Sequence, residues 1–228
     1  MQRQFESELR ELKNRILAMG GLVEQSIEKA TQVLQTREPS AIAGIRGVER
    51  KINEEHVAID SLCLEVLARL SPVAADLRLI LAIIKINTDL ERMGDQAMNI
   101  VYNIEHYIDD GGIDLQENLK LNLPLMAAAV RKMVRDSLDA FMKGDTALAQ
   151  RVLESDDEVD AYKNKIFDTM VSFMRSKPDQ IGSALDLILI ARNLERMGDH
   201  ATNIAEDVIF ACTGEDVRHG HGADGQGG

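Results

Sequence analysis

Leu90-Glu91-Arg92-Met93-Gly94-Asp95 recurs letter for letter as Leu194-Glu195-Arg196-Met197-Gly198-Asp199. The likeness continues along the chain, because an Asn-Ile pair stands four residues after each aspartate, Asn99-Ile100 and Asn203-Ile204. Six consecutive identities point to an internal duplication, so whatever the first copy builds, the second should build again.

Working outward from these two segments, the apolar residues follow helical spacing. Phe5, Leu9, Leu12, Ile16, Met19, Val23, Ile27, Ala30 and Leu34 recur every three to four residues, which predicts a long first helix ending near Thr36. Pro39 suits a first helical turn with Glu38 before it as a cap, and a second helix is predicted to run to about Ala68. Ser71-Pro72 marks the next turn, and a third helix runs from about Val73 to Tyr107 before Asp109-Asp110-Gly111-Gly112 breaks it. The second half repeats the layout: a helix from about Leu121 to Met142, a turn at Lys143-Gly144-Asp145, a helix to about Met174, a turn at Lys177-Pro178, and a last helix to about Cys212. No segment alternates like a strand. The prediction is an all-α protein of two tandem three-helix bundles, residues 1–110 and 113–212, followed by a flexible glycine-containing tail, 213–228.

Composition agrees. Of the 228 residues 45% are apolar and only 4% aromatic, with no tryptophan and ten methionines, so Leu, Ile, Val, Ala and Met must fill the core. A formal charge of -12 argues against a nucleic-acid or anionic-membrane binder, which needs a basic face. Cys63 and Cys212 match neither a CxxC nor a zinc pattern and read as reduced packing residues. The charged amphipathic N-terminus lacks a signal-peptide core, and the most apolar run, Leu79 to Ile84, is bounded by Arg78 and Lys85. A cytoplasmic protein without membrane insertion is expected.

The repeated segments also carry chemistry. Glu91 and Asp95, like Glu195 and Asp199, lie four apart on a helix, so their carboxylates share one face with Asn99 or Asn203 a turn further on. Like charges at that spacing repel by a few tenths of a kcal/mol, and the row asks for a cation, which arginine or metal could supply. Reflecting residue 93 through the Ser71-Pro72 turn lands near residue 50, where Glu49 and Asn53 stand. The same operation on residue 197 through Lys177-Pro178 lands near 157, among Asp156, Asp157 and Asp160. Oxygen ligands thus meet across two helices in both halves, a donor set suited to Mg, Ca, Mn or Fe, with Zn less expected.

A single such motif would read as a solvated helix face, with Arg92 paired to Asp95 and Arg196 to Asp199. Two copies with facing acids favour the cation site, and Gly94 and Gly198 add weight, because a mid-helix glycine costs about 1 kcal/mol and marks a close approach. Glu-x-x-His of di-iron proteins is missing, as are a P-loop, GxGxxG and a nucleophile elbow. His56, His106 and His200 read as surface or packing residues, His219 and His221 as tail residues, and Met126, Met133 and Met142 as core filler.

These residues resemble a known family. The paired Glu-Arg-Met-Gly-Asp segments, with Ser-Pro-Val-Ala-Ala-Asp-Leu-Arg at Ser71 to Arg78 and Asp-Val-Arg-His at Asp216 to His219, look like the PhoU family of bacterial phosphate-transport accessory and regulatory proteins. The resemblance implies metal clusters on Glu91-Asp95 and Glu195-Asp199, joined by Glu49, Asp156 and Asp160, with Asn53 replacing an acid in the first copy. It also implies a non-enzymatic homodimer that restrains the phosphate-starvation response by linking a phosphate ABC transporter's ATPase subunit to a sensor histidine kinase. A metal-dependent hydrolase and a structural bundle without a site are the alternatives.

Overall fold

A computed structural model describes residues 2–113 and 122–215, with only the backbone of residues 2–4. Its elements are α1 (Gln2–Thr36), α2 (Ile42–Leu70), α3 (Ala75–Asp109), α4 (Leu123–Lys143), α5 (Thr146–Glu154), α6 (Asp156–Ser176) and α7 (Ile181–Thr213), with short 3-10 turns at Pro39–Ala41 and Pro178–Gln180. There is no strand among the described residues.

The buried face of α1 is Leu12, Ile16, Met19, Val23, Ile27 and Ala30, the stripe its periodicity predicts. Each fully buried Leu or Ile there contributes roughly 1.5–3 kcal/mol of transfer free energy. Arg37 ends the helix in a left-handed conformation (φ 56°), its N–H donating to the Val33 carbonyl at 2.8 Å. Pro39 opens the 3-10 turn, but Glu38 makes no side-chain capping bond there. Ser71 closes α2, also left-handed. Beyond α3, Gly111 and Gly112 both take positive φ, and the Tyr107 hydroxyl clamps the chain by donating to the Ile113 carbonyl at 2.8 Å.

The second half departs from the predicted three helices at one point. Its middle helix is broken at Ser155 into α5 and α6, giving seven helices among the described residues rather than six. At the break the Ser155 N–H still donates to the Arg151 carbonyl at 3.1 Å, and its hydroxyl donates to the same oxygen at 2.7 Å. Asp145 caps α5 by accepting from the Leu148 N–H at 2.9 Å.

The two bundles share a continuous apolar core in which α3 and α7, one from each, pack antiparallel through the centre. Polar pairs fix their register: Lys85 Nζ to Asp207 (2.9 Å), Asp89 to His200 (2.8 Å), His106 to Asp186 (2.7 Å) and Ser183 to Asp110 (2.9 Å). That register sets the two repeated segments side by side at one level of the molecule. α1 also crosses α4, where Gly20 leaves room for the Leu138 side chain. Two related apolar stripes stay exposed at the starts of α3 and α7: Val73, Leu77 and Leu81, and Ile181, Leu185 and Leu189. No helix of the described residues is long and apolar enough to cross a membrane.

Candidate metal centre

Each repeated segment meets the preceding helix of its own bundle at its glycine. A Cβ on Gly94 would stand 3.2 Å from Ile52 Cγ2 of α2, and one on Gly198 would stand 3.5 Å from Val159 and 3.7 Å from the Asp156 carboxylate of α6. The bare backbone at these positions lets the helices close, and the reflected positions near 50 and 157 fall within a few residues of the observed contacts.

In the second bundle four of the expected acids converge. Asp156, half-buried, has its carboxyl pushed up to about 6, chiefly by burial and then by the charges of Asp199, Asp160 and Glu195. Burial and Glu195 likewise raise Asp199, although His200 and Lys163 oppose the shift. Between the helices lies an ammonium: Lys163 Nζ donates to Asp160 Oδ1 at 2.7 Å on its own helix and to Glu195 Oε1 at 2.9 Å across on α7. These two hydrogen bonds hold Lys163 above the ordinary lysine range. The row therefore carries a cation, supplied by a lysine rather than the arginine of the same segment. Among the described residues no ion pair joins Arg92 to Asp95 or Arg196 to Asp199, and Arg92 and Arg196 are both exposed.

The first bundle is arranged differently. Asn53 donates to Glu49 at 2.6 Å, Glu91 and Glu49 are half-buried, and Asp95, Asn53 and Asn99 are exposed. Asn99 turns toward Gln96, at 3.5 Å. Asn203, its counterpart, donates across the seam to Asp89 at 3.3 Å instead of extending the Glu195-Asp199 row. Among the described residues no three His, Cys, Asp or Glu side chains form a ready-made cage. The second set nonetheless fits a cation by its chemistry: mutually repelling carboxylates on two helices, with an ammonium already held between two of them, Asp160 and Glu195.

His56, His106 and His200 fit the reading as surface or packing residues, each with a polar partner. His200, adjacent to Asp199, donates from Nδ1 to Asp89 Oδ1 at 2.8 Å and is nearly buried. His106, solvent-facing, is bound to the buried Asp186, whose hydrogen bond and charge raise its pKa. His56 lies 3.4 Å from the Asn87 carbonyl. Cys63 is buried in the core, its thiol pushed up to about 12 by burial, whereas Cys212 is exposed and not a packing residue. Met126 and Met133 fill the core and Met142 packs partly buried against it. His219 and His221 lie outside the described residues. Lys163 escaped the sequence reading, although its place three residues after Asp160 was a usable signal.

The PhoU domain matches this chain twice, over residues 16–104 and 123–208. A phosphate-specific transport system accessory protein PhoU homolog of Pseudomonas putida is 38% identical over 216 residues, 95% of this chain and 83% of the relative. The accessory protein PhoU of Escherichia coli K12 is 30% identical over 217 residues, covering 95% and 88%. The crystal structure of PhoU from Pseudomonas aeruginosa superposes with a TM-score of 0.86 at 36% identity, over 92% of this chain and all of that one. With both halves matched and the fold shared, this chain belongs to the PhoU family.

Proposed function

We propose that this protein is a metal-binding regulatory adaptor of phosphate homeostasis that restrains the phosphate-starvation response when phosphate is plentiful. It acts by contact, linking a phosphate ABC transporter's ATPase subunit to a sensor histidine kinase on the cytoplasmic side of the membrane, and works as a homodimer. The observation that carries this reading is the match of both bundles to accessory proteins of phosphate-specific transport systems. The exposed apolar stripes on α3 and α7 support action through protein surfaces.

In this reading Asp156, Asp160, Glu195 and Asp199 hold the ions of the second cluster, and Glu49, Glu91 and Asp95, with the Asn53 amide, those of the first. Hard multivalent cations such as Mn, Mg, Ca or Fe match the oxygen donors, with Zn next. Bound metal supplies positive charge that relieves the carboxylate repulsion and tethers α2 to α3 and α6 to α7.

The test is deletion of the gene. Loss of the adaptor should switch the starvation response on in phosphate-rich medium, and an unchanged response refutes the assignment. Retention of the protein on membranes from cells lacking transporter and kinase refutes the docking mechanism. Phosphoester turnover by the purified, metal-loaded protein would replace the adaptor with a hydrolase.

A further inference from the structure

We propose that Lys163 is a tethered counter-ion that occupies the second carboxylate cluster in place of metal and sets that cluster's metal affinity. The inference rests on the metal-binding reading above and assigns the residue that controls it. The geometry is specific: one ammonium joins Asp160 Oδ1 at 2.7 Å and Glu195 Oε1 at 2.9 Å, so it binds one acid from each of the two helices that a metal would bridge.

The two halves differ where this reasoning requires. Aligned on the glycine contacts, Ile52 with Gly94 and Val159 with Gly198, the residue equivalent to Lys163 is His56, and the residue equivalent to Asp160 is Asn53. His56 turns to the Asn87 carbonyl and toward Asp60, and Asn53 satisfies Glu49 by its amide. The first cluster has three acids; the second has four acids and one lysine, so both carry the same formal charge. Lys163 thus offsets the extra carboxylate. Without it, four carboxylates would face one another across α6 and α7 with no internal cation.

The consequence is competition. A metal entering the second cluster must release Lys163 from both acids, and the lysine, 27% exposed, lies close enough to solvent to swing outward. Lys163 thus brings the metal-free second cluster to the formal charge of the first, and it exchanges ammonium for metal without rebuilding the bundle.

The experiment uses the full chain carrying Glu91→Ala and Asp95→Ala, so that only the second cluster remains. Mn(II) is titrated into this parent and into its Lys163→Met, Lys163→Gln and Lys163→Arg variants, with free Mn(II) read by electron paramagnetic resonance. Lys163→Met should bind Mn(II) roughly tenfold more tightly, the order expected on removing two partly exposed ion pairs. Lys163→Gln, which keeps a hydrogen-bond donor without the charge, should also tighten binding, and Lys163→Arg should stay near the parent. Chelated Lys163→Met should melt below the parent and gain more from Mn(II). Equal Mn(II) affinity in parent, Lys163→Gln and Lys163→Met overturns the role of the lysine and leaves the metal reading standing. No Mn(II) bound by any of them overturns both.

Discussion

Replacing Asp156 with asparagine should stabilise the metal-free protein at neutral pH, because this carboxylate is charged against its surroundings. Its carboxyl is pushed up to about 6 from the ordinary 3.8 by burial and by Asp199, Asp160 and Glu195. The folded protein therefore holds the proton more tightly than the unfolded chain. Stability falls as pH rises from about 4 to about 6, and the loss is complete above 6. Unscreened, that gap corresponds to about 3 kcal/mol at neutral pH. Because the side chain is only half-buried, solvent reduces it to about 1 kcal/mol. An amide cannot ionise, so the Asp156→Asn variant should gain about 1 kcal/mol at pH 7.5, or a rise of roughly 2–4 °C in Tm, and nothing near pH 4. Urea unfolding after exhaustive chelation, at low ionic strength and both pH values, measures this. A loss of stability at pH 7.5, or a gain of equal size at pH 4, would refute the electrostatic reasoning.

Other outcomes follow from the same contacts. The paired substitutions Glu91→Ala with Asp95→Ala, and Glu195→Ala with Asp199→Ala, should each abolish one metal cluster in elemental analysis while leaving the helical circular dichroism signal intact. Gly20→Ala should destabilise by about 1 kcal/mol in thermal unfolding, since a methyl there overlaps Leu138 Cδ1 and overpacking outweighs the gain in helix propensity. A thiol reagent should label the exposed Cys212 within the folded protein and reach the buried Cys63 only on unfolding, a difference peptide mapping would show. His106→Ala should cost more stability at pH 5.5 than at pH 8.5: the raised folded pKa means the Asp186 pair stabilises below the unfolded histidine value and fades as pH rises through the folded one. A loss that grows with pH would contradict that pairing.

The sequence by itself determined the helical architecture, the turns and the rows of acids. Helical period follows from which side chains must be hidden from water, and the α1 stripe from Leu12 to Ala30 is buried as its spacing predicts. The turns at Ser71-Pro72, Lys143-Gly144-Asp145 and Lys177-Pro178 were legible because their residues restrict or free the backbone locally. The duplicated Glu-Arg-Met-Gly-Asp segments marked both rows, and antiparallel reflection found the acids facing the second, Asp156 and Asp160, because adjacent helices joined by a short turn have little choice of register. The break at Ser155 was not legible, since apolar spacing runs on through α5 and α6 and no proline or glycine stands at the junction. Nor was the pairing of α3 with α7, which joins residues far apart in the chain: periodicity tells which face of a helix is buried, never which distant helix covers it. Only the tertiary structure could therefore bring His200 to Asp89 and His106 to Asp186. It likewise decided which cation answers the acids, because Arg196 and Lys163 both lie within reach in the sequence, and only the packing of α6 on α7 directs the lysine between Asp160 and Glu195.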